Sequence, residues 1–470
     1  MDLLMDYRSA AAALGAELFP PGAGGGFSRV VIDSRKAEPG ALFIALKGGK
    51  SDGHTYLSQA FERGASAALV SEAGMKAAGF DREGTPAGEV VLLVVPDTLK
   101  GLQDLAGAYL DKFPRLLRIG ITGSSGKTTV KEITAAVMGR EKRVVMNQGN
   151  LNSETGLPLS LFEVRSHHEA GIFEAGMNRK GEIAELAAAL KPHIALITNI
   201  GPAHIGILGS LEAIAQEKKD LFSQFTGNET ALIPEDDPFR DYLAGDIRGR
   251  VVFYGQKNLE AGGKLNAAVD RGLEGTEIVW EGISAAFGLP GKHNLKNALA
   301  AAAIACEAGI GGKALREGLG SVKGLFGRSE ILRGKTTVIR DCYNANPDSA
   351  AQALDFCDGA DWPGRRVYIM GSMLELGAHS ASAHGGLGER LLRSRGDMIF
   401  LYGKETAPAR DVLKAGKRLF FYTEAMDELE RAVSAYVRSG DLVLLKGSRG
   451  CALEGLTDTV LIKEGGAGVS

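Results

Sequence analysis

The sequence predicts an α/β protein of three domains, and three observations carry that expectation. At 470 residues the chain is longer than one typical domain. With 44% hydrophobic and 24% charged residues, each domain can bury a full core without disulfide or metal staples. Short apolar runs alternate with helical patterns along most of its length, as in parallel sheets covered by helices. The expected units are a small N-terminal α/β domain over 1–97, a central parallel-sheet domain with a phosphate loop over 98–327, and a C-terminal Rossmann-like α/β domain over 328–470.

In the N-terminal unit a helix is expected over Tyr7–Leu18, then a glycine break at Gly22–Gly26. Strands at Val30–Ile32 and Leu42–Leu46 are joined through a Pro39–Gly40 turn. A helix over Ser58–Gly64 and strands at Ala67–Val70 and Val90–Val95 complete it, with residues 71–89 as a surface excursion.

The central unit opens with a helix over Leu99–Lys112 and then the stretch around which the chain is organised, RIGITGSSGKTTVKEITAAVM, from Arg118 to Met138. Ile119 and Ile121 begin a strand; Gly123, Ser124, Ser125 and Gly126 form a turn; Lys127, Thr128 and Thr129 open a helix whose apolar face carries Val130, Ile133 and Val137. Strand, glycine turn and helix N-terminus make an anion site of unpaired N–H groups and favourable dipole. Lys127 adds charge for the outer phosphates of a nucleotide, and Thr128 a hydroxyl suited to Mg2+. Strands follow at Arg143–Met146, Ala170–Glu174 and Ile194–Ile200, with helices over Glu154–Phe162 and Gly181–Leu190. In such sheets ligands sit at the carboxyl ends of strands, where NQGNLN (147–152), Glu174, Thr198–Asn199 and His204 lie. On spacing alone Glu174 fits a Mg2+ ligand and a salt-bridged carboxylate equally, and His204 reads first as a loop histidine. EKKD (217–220), on a helix over Leu211–Phe222, has the composition of a solvated face. Residues 231–290 read as β-rich, and 291–309 as an alanine-rich helix, whose Asn297 suits an adenine edge and Asn294 an N-cap.

In the C-terminal unit strands are expected at Thr337–Arg340, Val367–Met370, Met398–Tyr402, Arg418–Tyr422 and Leu442–Leu445. The first ends in DCYNANP, the second in GSMLELG and the last in KGSRG, whose Lys446 and Arg449 can receive a carboxylate or phosphate. The formal net charge of −3 supplies no global basic field for nucleic acid. The four cysteines are widely spaced, as in a reducing cytosol. The first residues, MDLLMDYRSA, lack the basic region of a signal peptide, and no apolar run reaches membrane-spanning length.

Taken in order, TGSSGKTT, FEAGMN, NIGPAHIG, EKKDLF, GKHNLKNALAA, FGRSE, DCYNANP and LKGSRG resemble the Mur ligase family, the ATP-dependent amide-forming enzymes of peptidoglycan precursor synthesis. DSRKAEPGALFIALKG, YNANP and M-L-E-L-G place the resemblance nearest the branch that joins D-alanyl-D-alanine to UDP-N-acetylmuramoyl-tripeptide. What the resemblance implies is an enzyme of the cytoplasm, working as a monomer on small-molecule substrates with ATP and Mg2+, with neither nucleic acid nor membrane as partner. It implies that Gly123, Ser124, Ser125, Gly126, Lys127, Thr128 and Thr129 hold the phosphates; that Thr128, Glu174, His204 and Lys218, the last as a carbamylated lysine, serve the metal sites; and that Asn297 contacts adenine, Arg328 the γ-phosphate and Asp341 the ribose side. The implied catalytic set is Lys127, Glu174, His204, Lys218 and Arg328. Ser34 and Arg35 fall in the loop that holds the uridine nucleotide, and Asn152, Ser153, Asn344, Asn346, Lys446 and Arg449 fall among substrate contacts. The chain departs from the family pattern at Ser372, where an aspartate is usual, at Ser153, where asparagine is usual, and at Arg179, often histidine.

Overall fold

The computed structural model describes residues 3–49, 51–80, 90–324 and 326–462. Of the five sheets among the described residues, the three largest follow one another along the chain. The first has five strands in the order Glu17–Phe19, Val91–Val95, Ala67–Ser71, Ala41–Ile44, Arg29–Val31. All its pairs are parallel except the first. The helix Tyr7–Leu14 is shorter than expected because Gly15, at φ 58°, ends it in the left-handed conformation. That frees Leu18 for the edge strand. Of the expected surface excursion, Glu72–Ala77 is a helix whose Ser71 hydroxyl accepts the Gly74 N–H; residues 81–89 lie outside the described residues.

The second sheet is parallel throughout, in the order Arg250–Tyr254, Thr230–Pro234, Ile194–Ile197, Leu117–Thr122, Ala170–Glu174, Val144–Met146. Its central strand is buried on both faces, so its residues need not alternate in polarity. The helix Lys127–Met138 covers one face with Lys292–Glu307, and Val130, Ile133 and Val137 share a core with Leu299 and Ile304. The β-rich expectation for 231–290 resolves into two structures: the last two strands of the parallel sheet, and a separate antiparallel sheet of Leu265–Asp270, Thr276–Trp280 and Ile283–Phe287. The helix Thr98–Leu110 joins the first two units. The Thr98 hydroxyl donates to the Ala45 carbonyl at 2.9 Å, while Leu102 and Leu105 belong to one core with Leu42, Leu69, Leu186 and Leu190.

The third sheet runs Glu330–Arg333, Thr337–Asp341, Leu442–Lys446, Arg366–Gly371, Met398–Tyr402, Phe420–Thr423. Only its first strand, which periodicity does not reveal, is antiparallel. Carboxyl ends of the second and third sheets face one cleft, as parallel topology directs. The two halves touch where Gly206, in the short helix Ile205–Leu208, meets Gly377. A Cβ added at Gly206 would lie 2.7 Å from the Gly377 nitrogen, so backbone meets backbone with no room for a side chain.

Candidate functional site

The cleft encloses about 1310 Å³ and is lined by the phosphate loop, by the carboxyl ends of the central strands and by the C-terminal loops 341–346, 374–375 and 446–450. Gly126 caps the helix Lys127–Met138 in the left-handed conformation, φ 79°, with no side chain covering the helix end. A Cβ there would lie 2.4 Å from Asn297 Oδ1, so the Asn297 side chain is seated directly on the loop. The amides of Ser124 and Ser125 are not free as a bare turn would leave them. Both donate to Asn199 Oδ1, at 3.1 and 2.9 Å, and Asn199 Nδ2 donates to Ser125 Oγ at 2.7 Å. Asn199 thus fixes the first half of the loop, and the open N–H groups are those at the helix start. Lys127 folds its ammonium back onto the Gly123 carbonyl at 2.8 Å. Burial holds its pKa below the usual lysine range, with Glu174 acting against that shift.

Glu174, 2% exposed, ends its strand in a fully specified setting. Its Oε2 accepts from Thr128 Oγ1 at 2.7 Å and its Oε1 from Asn152 Nδ2 at 2.7 Å. Its backbone exchanges hydrogen bonds with the Asn147 side chain at 2.9 and 3.0 Å. Asn147 itself is fixed by the buried Lys131, whose ammonium donates to the Asn147 carbonyl at 2.6 Å. His204 lies at φ 63°, and its Nδ1 is buried without a hydrogen-bond partner, 3.6 Å from Glu375 Oε2. Burial, with Lys127 and Lys218 beside it, lowers the imidazole to about 4, so it is neutral. Lys218 is 1% exposed. Far from lying on a solvated face, it is buried behind the cleft wall, and desolvation and the Lys127 charge push its amine well below the lysine range. The neighbouring Glu217 caps the helix Glu182–Leu190, accepting from the amides of Gly181 and Ile183 at 2.7 and 2.9 Å.

From the C-terminal side Arg328 Nη2 donates to Thr128 Oγ1 at 3.0 Å, with its guanidinium 4.1 Å from the Tyr343 ring centroid. Asp341 accepts from the Ser329 amide and pairs with Lys446 at 2.8 Å; Lys446 also donates to the Asn344 carbonyl. Lys446 is therefore an internal tie, whereas Arg449, paired with Glu454 at 3.1 Å, is 58% exposed and lines the cleft. Asn346 caps the helix Pro347–Gly359 through Ser349 while lining the cleft, and Asn344 lines it exposed. Ser34, Arg35 and Ser153 do not line the cleft. Ser34 donates to Gln59 at 2.6 Å, Arg35 forks onto Asp33 at the end of an N-terminal strand, and Ser153 caps its own turn. At Ser372 the carboxylate comes from elsewhere: Ser372 Oγ donates to Glu405 Oε2 at 2.7 Å. Arg179 instead forks onto Glu185 and binds Glu154 at 2.8 Å.

Descriptions of the Mur ligase middle domain, the Mur ligase glutamate ligase domain and the Mur ligase family catalytic domain match residues 121–305, 327–449 and 27–110. The UDP-N-acetylmuramoyl-tripeptide–D-alanyl-D-alanine ligase of Treponema pallidum is 44% identical over 98% of this chain and 100% of its own length. The chain belongs to the Mur ligase family. Its fold agrees with that of MurF from Acinetobacter baumannii, at a TM-score of 0.85 and 28% identity, covering 98% of this chain and 100% of that one. It also agrees with the MurF ligase of Thermotoga maritima crystallised with ADP, at a TM-score of 0.77 and 26% identity over 92% and 96% of the two chains. Within this Mur ligase the sequence left Asn199, Lys131, Tyr343 and Glu375 without roles. Asn199 and Tyr343 stood inside quoted motifs and were legible as cleft residues; Lys131 gave no signal beyond a lysine among apolar helix positions. Among the described residues no helix is long and apolar enough to cross a membrane.

Proposed function

We propose that this Mur ligase joins D-alanyl-D-alanine to UDP-N-acetylmuramoyl-tripeptide with ATP, through an acyl phosphate, releasing ADP and phosphate. The observation that carries it is the full-length likeness to the Treponema ligase together with one cleft fed by two domains. A carboxylate does not condense with an amine at neutral pH because oxide is its leaving group. Transfer of the γ-phosphoryl group to the tripeptide carboxylate makes phosphate the leaving group. The amine then attacks the acyl carbon. Both partners in the first step are anions, and Lys127 from the central domain with Arg328 from the C-terminal one neutralise their approach. Meeting of the two halves at Gly206 and Gly377 keeps water from the acyl phosphate.

The residues fit Mg2+: Thr128 and Glu174 offer oxygen donors, and the cleft-lining His204 carries a buried Nδ1 without a hydrogen-bond partner. When bound, the ion screens phosphate charge and polarises the transferred group. Lys218, whose amine burial pushes well below the lysine range, suits reaction with CO2: an N–C bond forms, one proton leaves the nitrogen, and an anionic carbamate replaces the amine. A carbamate carbon signal from protein equilibrated with 13C-labelled CO2, absent in Lys218→Arg, tests it. In this scheme residues 1–97, with Ser34 and Arg35, hold the uridine end, residues 98–327 hold ATP, with Asn297 at adenine and Asp341 at the ribose, and residues 328–470 receive the dipeptide. The cleft is completed within one chain, as a monomer requires, and the free cysteines fit a cytoplasmic setting. The deciding experiment is phosphate release with both substrates present and with each omitted. Release that needs both, with a product heavier by the dipeptide less one water, is expected; release with a single amino acid in place of the dipeptide moves the chain to a sister activity.

A further inference from the structure

Glu375 stands apart from the other carboxylates of the cleft. Glu174, Asp341, Asp237 and Glu235 are all engaged by side chains or backbone amides. Among the described residues Glu375 is the cleft-lining carboxylate that accepts no hydrogen bond, and its side chain is 59% exposed. It is nonetheless rigidly placed. Its backbone has φ 65°, a left-handed conformation unfavourable for a residue with a Cβ. The residues before it are pinned: the Met373 amide donates to His384 Nε2 at 3.0 Å and the Leu374 amide to Ser448 Oγ at 2.9 Å. The residues after it are held by the Leu376 side chain in the C-terminal core and by Gly377 against Gly206. A strained, exposed carboxylate that accepts no hydrogen bond and stands 3.6 Å from His204 Nδ1 keeps its oxygens open to a ligand.

The Leu374–Ser448 hydrogen bond also fixes what lies beside Glu375. The residue following Ser448 is Arg449, whose side chain is 58% exposed and lines the same cleft. A carboxylate and a guanidinium thus flank one hydrogen bond, and Arg449 pairs with Glu454 at 3.1 Å rather than with Glu375. The reacting centre, at Lys127 and His204, is on the Glu375 side.

We infer that Glu375 and Arg449 form the receptor for the acceptor dipeptide as a zwitterion, Glu375 taking its ammonium group and Arg449 its carboxylate. An extended dipeptide is about 7 Å long, short enough for residues flanking one hydrogen bond to hold both ends. This polarity sets the nitrogen beside the centre where the acyl phosphate forms and turns the carboxylate away from it. Glu375 is a positioning residue for the amine. The inference rests on the ligase reading and deepens it.

The test compares the dipeptide with two analogues, one lacking the ammonium (propionyl-D-alanine) and one lacking the carboxylate charge (D-alanyl-D-alaninamide). Glu375→Gln is expected to raise KM for the dipeptide by about tenfold or more, the loss of one charge-assisted hydrogen bond. Its affinity for propionyl-D-alanine should equal that of the wild type, and its affinity for ADP should be unchanged, which also reports an intact fold. Arg449→Gln should raise KM for the dipeptide and leave KM for the amide unchanged. Equal losses for both analogues in both variants overturn the receptor. So does a Glu375→Gln protein whose dipeptide KM is unchanged while its Mg2+ requirement rises, which makes Glu375 a metal ligand. A wild-type protein that ignores the dipeptide altogether overturns the ligase reading itself, a result visible without any variant.

Discussion

The two ends of the cleft are built on opposite plans. At the nucleotide end Thr128, Asn152 and Asn147 occupy Glu174 from three directions, and Asn199 ties down two amides of the loop. All of these come from the central domain. At the acceptor end Glu375 and Arg449 stand exposed on the C-terminal domain; Arg449 is held by Glu454 of that domain, and Glu375 gains its neighbour His204 only where the domain meets the central one near Gly206. One end is preorganised by hydrogen bonds in place when a ligand arrives; the other depends on two bodies meeting. Preorganised donors raise the rate because they need not reorganise during reaction, whereas an assembled site gates the second substrate until the first is enclosed.

On that contrast, damage to the nucleotide end removes chemistry outright. Lys127→Ala should reduce ATP turnover by about 10³-fold or more, as losses of electrostatic stabilisation do, with the thermal unfolding profile near that of the wild type. Near-normal phosphate release by this variant would sink the assignment of the loop. Damage to the assembly should instead act through closure. Gly206→Ala forces a methyl group to within 2.7 Å of the Gly377 backbone, which side-chain rotation cannot relieve. An overpacking cost of about 1–3 kcal/mol corresponds to a turnover lower by roughly 5- to 150-fold, with ADP affinity unchanged. Equal losses of turnover and ADP affinity would show that Gly206 shapes the nucleotide end as well, and the contrast would fail.

The same division decides what the sequence discloses. The phosphate loop is one continuous segment in which strand, turn, lysine and helix all agree, so its place and its open helix end are legible in local sequence alone. Glu174 and His204 are legible as residues at strand ends, but not as donors, because their partners come from segments distant in sequence. Lys218 misleads: EKKD has the composition of a solvated face, and only tertiary packing buries it, 1% exposed, with Lys127 as an electrostatic neighbour. Lys446 misleads in the other direction, since a basic residue after a strand reads as a receptor until Asp341 is found on it at 2.8 Å. Glu375 is legible only as a letter in M-L-E-L-G. Its left-handed backbone and its neighbour across the Leu374–Ser448 bond are properties of two loops brought together, and no periodicity records them.

A milder lever on the acceptor end is protonation of His384, which is fully buried and accepts the Met373 N–H at Nε2. Burial lowers its pKa, against the opposing influence of the Ser380 carbonyl and of Glu405. The unfolded chain therefore binds a proton that the folded one refuses, and stability is lost as pH falls below the unfolded value of about 6.5. The expected slope approaches about 1.4 kcal/mol per pH unit. In denaturant titrations from neutral to mildly acidic pH, His384→Gln should show a shallower loss than the wild type. Parallel slopes would remove His384 from the support of this loop.

The smallest effect belongs to Tyr343, which joins the two ends. Its ring carries the Arg328 guanidinium at 4.1 Å and the Arg449 guanidinium at 5.7 Å. Arg328 reaches Thr128 only at the end of a flexible stem, and the aromatic face restricts where that stem can place its charge. Replacing the ring by an aliphatic group removes about 0.5–1 kcal/mol of cation–π attraction at each partner. Tyr343→Leu should therefore lower turnover about 2- to 5-fold, and Tyr343→Phe, which keeps the π face, should restore it. A loss confined to the KM for ATP would make the ring a support for Arg328 alone. A parallel rise in the dipeptide KM, also rescued by phenylalanine, would show that the same ring orients Arg449, so that the preorganised and the assembled ends share one side chain.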